Sequence, residues 1–419
     1  MSSQSNPPAG LQTTAPTAST FRPLEGIRVL AVESYGAGPY GTMHLADLGA
    51  EVIKIEPPAR GPVPAGDSAR HSGPYFLGEN DSEFFQTFNR GKKSVMLDLV
   101  HPRGRQTLHR LVESADAVLN NLRGSQPPKL GLTYDVLGAV NPRIVCCHLS
   151  GYGRTGPRAG WPAYDYLAQA EAGYFALTGE PGSPPARMGL SIIDYLGGIT
   201  AAYALTAALL GAHRRGKGCD VDVTLYDVAI HQLTYPATWY LTQKHITDRR
   251  PRSGHPSVVP CALFPTADGW IFVMCITQRF WELLCEALGR AELITDPRFV
   301  KVADRRANRD ALAETLDTTF RTRSTGDWMQ AFAGRVPAAP VLTVADALDN
   351  PYLHETGGVM STPHPQRQDF RQLASAIRID GERPEGRVCA ALGADTEAVL
   401  AQAGLNADEI AALRRDGVI

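Results

Sequence analysis

The sequence predicts an α/β fold: a doubly wound large domain built on a parallel sheet, interrupted by a smaller α+β domain. Three observations point there. From Ile27 to Ser150, short apolar runs rich in Val and Ile alternate with helix-spaced segments, the pattern of strand–helix–strand units. From about Tyr235 to Val336 the pattern changes to short strands and amphipathic helices. "AAPVLTVADALDNPYL" then resumes a strand-then-helix order, so the chain is expected to return to its first domain. The expected divisions are a tail over 1–22, the first part of the large domain over 23–225, the small domain over 226–335, and the return over 336–419 with C-terminal helices.

Each element has a local reason. "IRVLAVE" (27–33) is a buried strand, and "GPYGTMHLADLGA" after it has helical spacing with a stop at Gly49. "EVIKIE" (51–56) is the second strand, and Pro57-Pro58 opens a long loop to Gly73. "KKSVMLDL" (92–99), "DAVLNN" (116–121) and "RIVCCHLS" (143–150) are further strands, with the helix "PRGRQTLHRLVESA" between the first two. "AYDYLAQAEAGYFALTG" reads as one helix and residues 188–213 as another; "CDVDVTLYDVAIHQL" begins as a strand and turns helical. In the smaller domain, "ALFPTADGWIFVMCI" is a hairpin turning at Ala267-Asp268-Gly269, and Phe280, Leu283, Leu284 and Leu288 share one helix face.

Composition narrows the function. Of 419 residues, 43% are hydrophobic and 20% charged, with a net charge of −2, so no overall basic field draws the chain to nucleic acid or anionic lipid. Seven cysteines without a CxxC pair suggest free thiols, a reducing compartment and a cytoplasmic location. No apolar run free of polar breaks reaches the ~20 residues of a membrane span. The first 22 residues are rich in Ser, Thr, Pro and Ala and lack an apolar signal core, so a disordered tail is expected.

The chain has no HExxH, GxxxxGK[ST] or GxSxG motif, and its 11 histidines show no metal-ligand spacing. Gly36, Gly38 and Gly41 follow a strand with dinucleotide-fingerprint spacing, and Glu56 lies where an acid would meet a ribose hydroxyl. Two readings stand: a phosphate held by helix N–H groups, as in an NAD-dependent oxidoreductase, or a tight strand-to-helix turn. Arg90, Lys92 and Lys93 crowd three cations at a strand edge, either a phosphate grip or a solvated strand entrance. Asn121 ends a strand where ligands of open α/β sheets sit, with Arg123 and Lys129 adding charge. Asp165 suits a helix N-terminus. Asp194 heads "DYLGGITAAYALTAALL", a run apolar nearly all round; a carboxylate there either caps the helix or serves chemistry.

Taken together, "LEGIRVLAVESYGAGPYGTMHLADLGAEVIKIEPP", "FNRGKKSVMLDL", "NPRIVCCHLSGYGRTGP", "AYDYLAQAEAG" and "GKGCDVDVTLYD" resemble the family III CoA-transferases. That family includes formyl-CoA:oxalate and carnitine CoA-transferases, with the acyl-CoA racemases as relatives. The likeness runs from about Leu24 to Val344 and more weakly beyond. It implies a Rossmann-like large domain made from both chain ends, a smaller domain between them, and an interlocked homodimer. It implies CoA transfer from a donor thioester to a small carboxylic acid, with CoA as substrate, no tightly bound cofactor and no metal. Asp194 matches the family's nucleophile and Asp165 a carboxylate near it. CoA contacts fall on Tyr35, Gly36 and Ala37, on Leu97, and on Asn121, Leu122, Lys129 and Leu130, with Arg90, Lys92 and Lys93 beside them.

Departures matter too. Tyr164 stands where the racemases carry a proton-shuttling His, which disfavours racemisation. An arginine used for CoA falls on Pro57, leaving Arg60, Arg70 or Arg90 as replacements, and a covering glycine run reads "SGHPSVVP". Oxalate is thereby disfavoured as the acceptor. Arg187, Tyr195, Tyr235 and His255 are further residues for the acceptor side. At the ordinary carboxylate pKa of about 3.9, Asp194 is expected to be ionised at neutral pH without a base. A related isomerase or racemase, moving CoA or a proton within one molecule, is the nearest alternative activity.

Overall fold

The computed structural model describes residues 21–419; most of the expected tail, 1–20, lies outside the described residues. The first strand shows the architecture. In β1 (Arg28–Val32), Val29 and Ala31 face one hydrophobic core and Leu30 and Val32 face another. Alternate side chains point to opposite faces of a sheet, so a strand covered on both reads as a continuous apolar run.

The elements that build the sheet follow in chain order: β1, α1 (Ala37–Asp47), β2 (Glu51–Glu56), α2 (Glu83–Asn89), β3 (Lys93–Met96), α3 (Pro102–Val112), β4 (Ala117–Asn120), β5 (Val145–Ser150), α4 (Asp165–Glu171), α5 (Ile192–Arg215) and β6 (Cys219–Thr224). The six strands are all parallel, in the order β3-β2-β1-β4-β5-β6. Val29 of β1 pairs with Val52 on one side and Ala117 on the other, so the winding reverses at β1. α1 and α5 cover one face. α3 and two C-terminal helices, Thr396–Gln402 and Ala407–Arg415, cover the other through Leu108, Leu111, Leu400 and Leu413.

α5 is the one helix among the described residues long and apolar enough to cross a membrane, against the expectation of no such run. Its composition has a closer cause. Ala201, Ala202, Leu205 and Leu209 pack into the sheet core, and Gly41 and Gly198 let α1 cross it closely. A Cβ on Gly198 would lie 2.4 Å from the Ala37 carbonyl oxygen.

The second unit is a three-stranded antiparallel sheet, with β7 (Cys261–Pro265) and β8 (Trp270–Met274) forming the expected hairpin. Its core is aromatic, built on Trp281, Phe320 and Trp328. Two expected divisions are corrected. Val228 and Ala229, in helix α6 (Leu225–His231), belong to the large core rather than the small domain. Ala338–Pro340 forms β9, the third strand of the small sheet, beside β8, so the return to the large domain starts later. The single helix expected over 163–179 is two, α4 and a short turn at Tyr174–Leu177.

Candidate active site

The first turn of α5 carries Asp194. The N-cap residue Ser191 makes no side-chain cap. Asp165, arriving on α4, supplies the cap instead: its Oδ2 accepts the backbone N–H groups of Ile193 at 2.6 Å and Asp194 at 2.9 Å. Its Oδ1 accepts from Gln169 Nε2 at 2.6 Å, and the same amide donates to the Leu190 carbonyl. Three donors thus hold Asp165, which is buried. The helix N-terminus, with its unpaired N–H groups, is satisfied by a neighbour's carboxylate. Asp165 therefore orients the turn that carries Asp194.

Relieved of capping, the half-buried Asp194 carboxylate has no hydrogen-bond donor in reach among the described residues. It faces Gly36, where a Cβ would sit 2.8 Å from Asp194 Oδ2, so any side chain at 36 would displace the carboxylate. Immediately beyond, α1 begins. Its first intrahelical bond runs from Tyr40 N–H to the Gly36 carbonyl, leaving the N–H groups of Ala37 and Gly38 outside the helix's own bonding. Burial, and then the negative charge of Asp165, push the Asp194 carboxyl up to about 7. Both effects act against the freely ionised carboxylate expected at neutral pH.

The loop after β1 is clamped from two sides. Asn121 accepts from Ser34 N–H and donates to the Ser34 carbonyl, both at 2.8 Å. Asp67 accepts from Ser34 Oγ at 2.7 Å and from Tyr35 N–H at 2.9 Å. Tyr35 is thereby held in the left-handed region, at φ 69°. Tyr35, Gly36, Ala37, Asn121, Leu122 and Asp194 line one cleft of about 540 Å³. It opens beyond the carboxyl ends of β1, β4 and β5, where the strand order reverses and where ligands of open α/β sheets bind. A second cleft of about 360 Å³ shares Ser34 and Leu122 with the first and is lined by Leu97, Leu130, Pro57 and Arg60. Lys129 is exposed beside Leu130.

Other expected site residues are spent elsewhere. Arg90 is bound to Asp47 at 2.8 and 2.6 Å, and Lys93 to Glu51 at 2.5 Å. Lys92 is buried, donating to Glu33 Oε1, the Pro39 carbonyl and Asn89 Oδ1. Each cation already has its anion and none of the three lines either cleft, so the expected phosphate grip by these three is corrected. Glu56 is likewise occupied: Arg70 binds it at 2.7 and 2.8 Å and Ser94 Oγ at 2.6 Å, all buried. It is unavailable to a ribose, which removes one of the two observations behind the NAD reading. This also takes Arg70 and Arg90 out as substitutes for the cation missing at Pro57. Arg60, on the second cleft and paired with Asp98, is the one of the three that borders it.

Among the residues considered for the acceptor side, Tyr195 packs against Tyr40 and Phe88, and Arg187 stacks 4.4 Å over Tyr166. Tyr235 and His255 contact each other, with a hydroxyl-to-Nε2 distance of 3.4 Å. The sequence reading missed Asp67. Its only sequence signal was an acid in a Pro/Gly-rich loop, and the Lys54 and Ser34 groups its carboxylate joins are 13 and 33 residues away.

Comparisons with known proteins agree on one family. Residues 24–396 match the profile of CoA-transferase family III. The chain is 36% identical over 372 residues to an acetyl-CoA:oxalate CoA-transferase of Acetobacter aceti, covering 85% of this chain and 93% of that one. It is 33% identical over 344 residues to a succinate–glutarate CoA-transferase of Agrobacterium fabrum (strain C58 / ATCC 33970), covering 80% and 84%. The crystal structure of a CAIB/BAIF family protein from Brucella suis superposes with a TM-score of 0.77 at 32% identity, covering 91% of this chain and 99% of that one.

Proposed function

The chain belongs to CoA-transferase family III, and from that premise we propose that Asp194 is its nucleophile, passing CoA from an acyl-CoA thioester to a small carboxylic acid. The observation that carries this is the placement of Asp194: a carboxylate released from capping, at the wall of the 540 Å³ cleft, beside the N-terminus of α1. Ionised Asp194 attacks the thioester carbonyl and expels CoA thiolate, leaving a mixed anhydride. The thiolate attacks the aspartyl carbonyl of that anhydride, releasing the donor acid and leaving an aspartyl-CoA thioester. The acceptor carboxylate then attacks the aspartyl carbonyl and expels the thiolate again, giving a second mixed anhydride. Thiolate attack on the acceptor's acyl carbon yields the new acyl-CoA and restores Asp194. One thioester is exchanged for another, so no nucleotide is consumed.

The Ala37 and Gly38 N–H groups are the proposed stabilisers of the tetrahedral oxyanion; one such donor is worth about 3–4 kcal/mol. Gly197 and Gly198 lie inside α5, Gly197 against Leu225 and Gly198 against α1. CoA is proposed to lie over Tyr35–Ala37 and extend past Leu122 into the second cleft, among Leu97 and Leu130, with Lys129 and Arg60 toward its phosphates. The names of the relatives, oxalate and succinate–glutarate CoA-transferases, support a small dicarboxylic acid as the acceptor. Strand order 3-2-1-4-5-6 supports the Rossmann-like reading of the large domain. Seven unpaired cysteines support a reducing, cytoplasmic setting.

We also propose the interlocked homodimer. Ile199, Tyr203 and Leu210 are exposed along α5, and α7 (Thr234–Gln243) buries none of its residues while presenting Tyr240 and Leu241. Apolar surface on this scale marks an interaction face.

Incubation with succinyl-CoA or acetyl-CoA followed by hydroxylamine tests the covalent route. A hydroxamate on the peptide containing Asp194, absent in Asp194→Asn, is expected. Hydroxamate elsewhere, or undiminished exchange by the variant, refutes the assignment.

A further inference from the structure

Beneath the loop after β1 lies a charge network that none of the steps above uses. Glu33, Lys54, Glu56, Asp67, Arg70 and Lys92 are all buried, three cations among three anions. Lys54 Nζ lies 2.9 Å from Asp67 Oδ2 and 3.6 Å from Glu33 Oε1, and donates to the Glu33 carbonyl at 3.2 Å. Lys92 binds the same Glu33 carboxylate at 2.7 Å. Asp67 N–H donates to Glu56 Oε2 at 2.9 Å, joining the Glu56–Arg70 pair to the rest. Burying six charges is rarely the most stable way to fill a core; apolar residues of the same volume often do as well or better. The network therefore calls for a reason other than stability.

Its outlet toward the clefts is Asp67. While Oδ2 faces Lys54, Oδ1 accepts from Ser34 Oγ, Tyr35 N–H and Ala69 N–H, at 2.7, 2.9 and 2.9 Å. Tyr35 bears a side chain yet sits at φ 69°, a conformation that persists only where its surroundings over-determine it. Asp67 itself borders the second cleft, and Ser34 borders both. The next residue, Gly36, is the one against the Asp194 carboxylate.

We propose that Asp67 is a positioning residue: anchored by Lys54, its carboxylate holds the Ser34–Tyr35 turn that joins the two clefts, so that a thioester lying across both meets Asp194 in register. This rests on the CoA reading of the site. An Asn121 bond pair holds the same turn from the opposite side, so the loop is set by two independent struts.

The experiment uses the full chain and CoA itself. Calorimetric titration gives CoA affinity, and acyl exchange gives kcat and KM, for the unmodified protein, for Ser34→Ala, and for Lys54→Met/Asp67→Asn, which removes both charges of the pair together. A misplaced reacting group is costly in rate, so the double variant is expected to raise KM for acyl-CoA about tenfold and lower kcat about tenfold, and Ser34→Ala to change each about threefold. A merely structural role would lower Tm and leave the kinetics of the folded fraction unchanged; that result overturns the proposal. If the double variant does not fold, Ser34→Ala decides by the same criterion. Failure of the unmodified protein to bind CoA overturns the CoA reading instead, and this inference with it.

Discussion

Asp194 sits where its charge is disfavoured, and that sets its pH behaviour. Burial and the neighbouring Asp165 raise its carboxyl to about 7. In the proposed route Asp194 attacks in its ionised form, so kcat/KM is expected to fall as pH drops below about 7. Asp165→Asn removes the like charge while keeping an oxygen for the Ile193 and Asp194 N–H groups. Its midpoint should therefore move to lower pH, with kcat above pH 8 reduced less than in Asp165→Ala, which also loses the cap. Rate profiles from pH 5 to 9 decide this; an unmoved midpoint in Asp165→Asn would show that its charge does not reach Asp194. The oddity of Asp194 was legible because a carboxylate heading an apolar helix has few explanations. Its capping by Asp165 was not, because the two are 29 residues apart and meet only through folding.

At the scale of elements, the crossing of α1 and α5 places Asp194 against the loop after β1. Gly198→Ala would bring a Cβ to 2.4 Å from the Ala37 carbonyl and 2.9 Å from Gly41 N, both backbone atoms that cannot swing aside. The helices must part, at a cost of about 1–3 kcal/mol. Urea unfolding is expected to show that loss, together with reduced exchange activity because Gly36 moves away from Asp194. Gly41 was visible in the sequence as part of a fingerprint for phosphate, and the structure uses it, with Gly198, for close helix packing. The cations of "NRGKK" were misread for a related reason. Arg90, Lys92 and Lys93 find Asp47, Glu33 and Glu51 at separations of 43, 59 and 42 residues, pairings no local pattern encodes.

For the whole molecule, the exposed apolar faces of α5 and α7 bear on assembly. Sedimentation is expected to give twice the chain mass, and Tyr203→Glu, at a residue 74% exposed in the single chain, is expected to weaken the dimer and lower activity with it. A stable, fully active monomer would refute the homodimer. The six strands of the parallel sheet, in their chain order, and the hairpin of the small unit were determined by the sequence alone. Apolar periodicity is a local property, and it decides which segments become strands or helices whatever they later touch. Only the tertiary structure decided which charges are spent, where the small unit ends, and that Asp194 stands uncapped with its proton held more tightly than usual. Those outcomes depend on burial and on partners distant in the chain, and both exist only once the layers have closed.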